Sequence, residues 1–418
     1  MKEAFLHTVW NHQLYNTKSL TSVDGEQIIV RFKGFHNHNS GPDFLEATIE
    51  VDSTVWYGQV EIHVKSSDWR AHGHQNDSNY LNVILHVVWE NDLDIPELNC
   101  PVLELKGLVP NLYYQNYLKI EKQSEHLPCR FILNDLDAHW LSFYKEKMIL
   151  ERFEAKVQQV ENETSEIKYQ GIYEQFFYAL GLNKNQEQFK KLSQYIPYKL
   201  LSKYANQPSR TTALLLGSAG FLNDVDESDG YIKQLISEYR HLKTLHQLEE
   251  LPAHQWVFMR IRPSAFPTIK LALFAQLFSE IDTLENFLLH RSFSDIEHQL
   301  KNLELHPFWD THYTLKKSSK PRKKGFGKQG LNTLWINAIL PLKLTYAEAK
   351  EAELETSLEF LRNQKAEDNN ITRLMEENGF KNQHALDSQF IIHKNKNYCI
   401  SKKCLSCGIG LKILQKHD

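Results

Sequence analysis

Apolar residues at Phe5, Leu6, Val9, Trp10 and Leu14 recur at helical spacing, so Met1 to Tyr15 is expected to bury one helical face. The period then changes. Short apolar or alternating runs at Ile28 to Phe35, Leu45 to Val51, Val55 to Lys65, Val83 to Trp89 and Val102 to Leu105 predict strands. Turn chemistry such as Asp24-Gly25 and Asp52-Ser53 separates them, and Trp69 to Asn82 reads as a crossover. From about Asp135 onward the spacing is helical. Leu141 to Val160, Tyr173 to Leu180, Phe189 to Tyr204, Thr211 to Leu222, Tyr231 to Leu248, Ile269 to Phe278, Asn332 to Lys350 and Leu354 to Asn363 all carry it, and Pro197 breaks the third of these runs. The pattern predicts an α+β chain: a mixed α/β sheet module over 1–112, a join over 113–134 and a larger all-α domain over 135–418.

Two domains also suit a chain of 418 residues. Hydrophobic content of 41% with 24% charged residues is ordinary for a globular protein. A net charge of −4 supplies no overall basic field, so contact with nucleic acid would need a local patch. The one strongly basic run, Lys316, Lys317, Lys320, Arg322, Lys323 and Lys324, is expected to be a loop able to grip a nucleic-acid backbone. No apolar run reaches membrane-spanning length and the N-terminus lacks a secretory pattern, so a cytoplasmic protein without membrane contact is expected.

The chemistry concentrates between Gly41 and Lys65. Tyr57, Gln59, Glu61, His63 and Lys65 leave one face of a strand, while Gly58, Val60, Ile62 and Val64 leave the other. Asp43 follows Gly41-Pro42, which aims its carboxylate, and His86 is a lone polar residue in an apolar run. A turn at Ser53-Thr54 would set Glu46 opposite Glu61 and Phe44 opposite His63. That register keeps Leu45, Ile49, Val60 and Val64 on one face, and it makes Glu46 an alternative metal ligand unless a bulge restores Asp43.

Pro42-Asp43 and Glu61-Ile62-His63 are similar to the active-site pattern of the PD-(D/E)xK nuclease superfamily, with His63 where that pattern has lysine and Lys65 two residues later. The resemblance implies a nuclease-like sheet and a metal-dependent phosphodiesterase acting on nucleic acid. Asp43 and Glu61 would hold Mg²⁺ or Mn²⁺, and His63 or Lys65 would orient the attacking water. Two other functions compete with it. The polar face is ordinary surface in a non-catalytic nucleic-acid or protein-binding factor. Alternatively His72 and His74, in a His-x-His loop, join His63 or Asp77 around a transition metal in a hydrolase, with His86 nearby.

A second metal signal is Cys399-x4-Cys404-x2-Cys407-Gly408, whose spacing presents thiolates to a soft ion. Cys129 is the first candidate for the fourth ligand, ahead of His393 and His384. Zn²⁺ is the expected ion, and a four-iron cluster uses the same ligand set. The chain also resembles a family of uncharacterised bacterial proteins. Gly41-Pro42-Asp43-Phe44, Val60-Glu61-Ile62-His63, Ser67-Asp68-Trp69, His72-Gly73-His74, the Val83–Val88 run, Arg262-Pro263 and the C-terminal cysteines carry that likeness. It implies an architecture and no activity.

Overall fold

Helix α1 (Glu3–Asn11) buries Phe5, Leu6, Val9 and Trp10 against a sheet, as its apolar stripe predicts. The computed structural model describes residues 1–122, 127–182 and 184–416, so residues 123–126 of the expected join lie outside the described residues. The sheet contains β1 (Leu20–Thr21), β2 (Gln27–Phe32), β3 (Phe35–His36), β4 (Phe44–Val51), β5 (Thr54–Lys65), β6 (Val83–Glu90) and β7 (Val102–Glu104). Its order is β1-β2-β4-β5-β6-β7, with β3 alongside β4. Pairing is antiparallel as far as β5, then parallel from β5 to β6 and on to β7.

A parallel pair cannot be joined by a hairpin, so the chain needs a crossover between β5 and β6. Helix α2 (Asp68–Ala71) and the 3₁₀ turns His74–Asn76 and Ser78–Tyr80 supply it. Trp69 anchors this crossover in a small cluster with Val83 and Ile95. Where the strands start, Gly58 has no room for a side chain, since a Cβ there would lie 2.5 Å from the Asn82 carbonyl.

The register differs from the expected one. Val51 pairs with Thr54, so the turn is Asp52-Ser53 rather than Ser53-Thr54. Both turn residues have positive φ, 45° and 72°, the geometry that matches hairpin twist. Pairing then runs to Ala47 opposite Gly58 and resumes at Phe44 opposite Val60. Leu45 and Glu46 together face Gln59, a bulge with Glu46 at φ +58°. The bulge brings Asp43, not Glu46, level with Glu61.

The chain divides into two compact units. The first comprises Met1–Lys145 together with Asp368–Lys381 and the C-terminal stretch from Ile391. Helix α3 (Asn111–Lys122) stacks Tyr117 on Phe5 at 4.7 Å, and Leu414 enters the same core. Asn116 fixes that return by donating to the Leu414 carbonyl at 3.1 Å. The second unit, Glu146–Glu367 with Asn382–Phe390, is helical around Phe176, Phe177, Leu214 and Phe274. Pro197 separates Gln186–Tyr195 from Tyr198–Leu201, as expected. The C-terminal segments therefore leave the helical domain to which their position in the sequence assigned them, because their apolar partners lie in the first core. No helix among the described residues is long and apolar enough to cross a membrane.

Candidate metal centre

Backbone hydrogen bonds lock the two acids to each other's strand. The Asp43 N–H donates to Glu61 Oε2 at 3.2 Å, and the Ile62 N–H donates to Asp43 Oδ2 at 3.0 Å. Neither carboxylate can swing away without breaking a bond. The alternation on β5 holds as read: Val60 and Ile62 enter the apolar core, while Glu61 and His63 turn to the other face.

On that face three imidazoles converge. Ligand atoms of His63, His72 and His74 all lie within 4.8 Å of one another. An ion with bonds of about 2.1 Å to nitrogen needs ligand atoms no more than ~4.2 Å apart, so small side-chain rotations complete the set. Glu61 Oε1 lies 3.4 Å from His63 Nε2 and 3.2 Å from His74 Nε2, so a carboxylate oxygen joins the same cluster. His63 Nε2 is also 3.1 Å from His72 Nδ1. On its far side, His63 Nδ1 is 2.8 Å from His86 Nε2. Ligation through Nε2 requires the proton on Nδ1, where His63 would donate it to His86, a bond that would fix its tautomer and ring orientation. His74 is stacked on Tyr80 with ring centres 3.8 Å apart, and Trp69 packs edge-on against it.

Burial governs the charge state of the cluster. Burial and then the Asp43 charge push the Glu61 carboxyl up to about 9. Burial and then the neighbouring His86, His74 and His72 pull His63 down to about 2. Burial likewise lowers His86, to about 3, and His74. These imidazoles therefore favour the neutral form, whose ring nitrogen keeps a lone pair free to ligate a metal. The side chains of His63 and Glu61 are 1% and 7% exposed, while His72 lies at the surface, so one side opens to solvent.

Other expected ligands lie elsewhere. Glu46 is exposed and, with Gln59, lines a separate hollow beside Tyr57, Gly58 and Asn82. Lys65 is exposed and faces Asp92 at 3.6 Å, because β5 ends there and its side chain turns toward the loop after β6. Asp77 accepts from the Asn79 N–H, capping a 3₁₀ turn. In the basic run, Lys324 is buried and donates to the carbonyls of Asp310 and Arg322. Lys323 pairs with Glu304 at 3.1 Å, and Lys317 belongs to a short strand rather than a loop. Lys316, Lys320 and Arg322 are exposed.

Two contributors come from α1, which the strand-based reading did not consult. His7 Nε2 lies 3.2 Å from Asp43 Oδ2, and Glu3, one turn earlier, feels the charges of His72 and Asp43. Their i, i+4 spacing between the buried positions of α1 was the available signal.

Residues 3–370 match the family model described as "Protein of unknown function (DUF2851)". The match covers most of the chain and ends before the three C-terminal cysteines; the chain belongs to this family. No curated protein and no solved structure matches it.

Proposed function

We propose that this DUF2851 member is a metal-dependent hydrolase of phosphodiesters, with a transition-metal ion such as Mn²⁺ or Zn²⁺ held by His63, His72, His74 and Glu61. The observation that carries this reading is the convergence of three imidazoles on a buried carboxylate. Imidazole ligands favour transition metals over Mg²⁺, which is the change from the ion expected on the acids alone. Such an ion lowers the pKa of a bound water and polarises a phosphoryl oxygen. Asp43, held by the Ile62 N–H and faced by His7, is the group at hand to take a proton at the rim of the site.

The phosphodiester substrate is supported by the order of elements. A helix, antiparallel strands, a crossover and a parallel strand place Asp43 at the head of β4 and Glu61-Ile62-His63 on β5. That order and placement suit the nuclease superfamily which the motif resembles. His63 stands at the lysine position and is a ligand in this reading, so Lys65 has no catalytic part.

The test is a chelated protein titrated with Mn²⁺, Zn²⁺ and Mg²⁺, then assayed on plasmid DNA, single-stranded RNA and a bis-aryl phosphate. Glu61→Gln and His74→Ala should each lose more metal affinity than the about 10–100-fold typical of a lost supporting residue, and cleave at background rates. Variants that cleave like wild type would remove the site. Metal binding without turnover on any of these substrates would favour the non-catalytic binding factor.

A further inference from the structure

We infer that Cys129, Cys399, Cys404 and Cys407 hold a four-iron iron–sulfur cluster, with Lys394 as its fixed countercharge. The four cysteines come from two distant stretches of the first unit. Cys129 lies in the 3₁₀ turn Pro128–Phe131, and helix Gly408–Leu414, which begins just after Cys407, packs on that turn. The turns that carry them pack together: Cys404–Ser406 lies against both Asn395–Cys399 and helix Gly408–Leu414. All are free thiols, and Cys129 and Cys407 are buried. The backbone is drawn tightly around them. A Cβ on Gly410 would lie 1.8 Å from the Cys404 carbonyl, so only glycine lets the turn close.

Lys394 supplies an independent observation. Its side chain is buried at 1% exposure, and its Nζ lies 2.7 Å from Cys407 Sγ. The rings of Tyr144 and Phe380 flank the ammonium at 5.9 Å each. Its hydrogen-bond acceptor is the Cys407 sulfur, and Cys399 and Cys129 belong to its electrostatic surroundings. A buried ammonium is tolerated only beside matched negative charge, and here the matching groups are sulfurs. One thiolate would balance Lys394 alone. Four cysteines around it are explained by a metal core that keeps all of them ionised while leaving a net negative charge for the lysine.

Spacing favours the larger core. A tetrahedral zinc with Zn–S bonds of about 2.3 Å needs sulfurs ~3.8 Å apart. Among the described residues no three cysteine sulfurs lie within 4.8 Å of one another. A cubane attaches each sulfur to a different iron and takes a wider set. His393, an alternative fourth ligand from the sequence, has its Nδ1 at 2.8 Å from the Asn397 side-chain amide instead.

The experiment is anaerobic purification of the full chain, with visible absorbance, iron, sulfide and zinc measured. The expected result is a brown protein with about four iron and about four sulfide per chain. Cys129→Ser and Cys404→Ser should lose the colour, while His74→Ala keeps it, which separates this centre from the hydrolase site. Lys394→Met should retain iron but shift the reduction potential to a more negative value, since a nearby positive charge favours the reduced cluster. A colourless protein with zinc at these cysteines overturns the proposal. So does a metal-free protein in which Cys407 alone is a reactive thiolate beside Lys394. If the serine variants are insoluble, the iron and sulfide content of the native chain decides.

Discussion

Glu61 sits where its own ionisation is opposed, and this has a measurable sign. Burial and then the Asp43 charge push its carboxyl up to about 9 in the folded chain, well above the ordinary carboxylate range. Between those values the folded state binds a proton that the unfolded state has released, so stability falls as pH rises. His63 works the other way: pulled down to about 2, it adds stability as pH climbs to its ordinary value and nothing beyond. From pH 7 to 8 Glu61 contributes a falling slope of at most ~1.4 kcal/mol per pH unit, and above that the buried Lys270, lowered to about 8, opposes it. Thermal unfolding of chelated protein should show that slope, Glu61→Gln should flatten it, and saturating Mn²⁺ should reverse it. An unchanged slope in the variant would mean another group carries it. Asp43, Glu61, His63 and the His72–His74 pair were legible in sequence because a strand's period of two and a His-x-His spacing are local signals. His7 and Glu3 were legible only as a shared helix face by their i, i+4 spacing, because nothing local says which strand end that face will meet.

The bulge at Leu45-Glu46 is the element-scale device that assembles the acids. Apolar matching alone favoured a register without it, since matching counts side-chain faces and cannot register an extra residue. The positive φ of Asp52 and Ser53 was the missing information, because it moves the hairpin turn by one residue. Glu46 holds φ +58° at a cost that glycine avoids, so Glu46→Gly should raise stability by about 1 kcal/mol and leave metal affinity unchanged. Deleting Glu46 should also spare metal binding, because Leu45 then faces Gln59 and regular pairing still sets Phe44 against Val60 and Asp43 against Glu61. Calorimetry and metal titration check both. Loss of metal in the deletion alone would show that the bulge's twist, and not only its count, aims Asp43.

At the scale of the whole chain, the first unit is closed by residues far from its sheet in sequence. Many of the longer elements were readable from their own period, but helix α3 lay in the expected join and the helices after Asn363 were not read. Where the chain returns was not readable, because an apolar face looks the same whichever core receives it. Leu414 is fully buried in the core that α1 and α3 share, and Asn116 donates to the Leu414 and Lys416 carbonyls at 3.1 and 3.0 Å. A chain truncated after Phe390 loses those bonds, three of the four clustered cysteines and a Leu side chain whose burial stabilises by about 1.5–3 kcal/mol. The loss falls on the first unit, although the missing residues follow the helical unit in sequence. Hydrogen exchange should therefore show lower protection for β5 and β6 amides and for the bond between the Ile62 N–H and Asp43. Amides of the helices Gly230–His246 and Pro267–Glu280 should keep theirs. Equal protection of β5 and β6 in both chains would mean that the C-terminal stretch decorates the first unit without holding it together. Metal affinity at the proposed site of His63, His72 and His74 should fall with that protection, since those side chains stand on β5 and on the crossover that leads to β6.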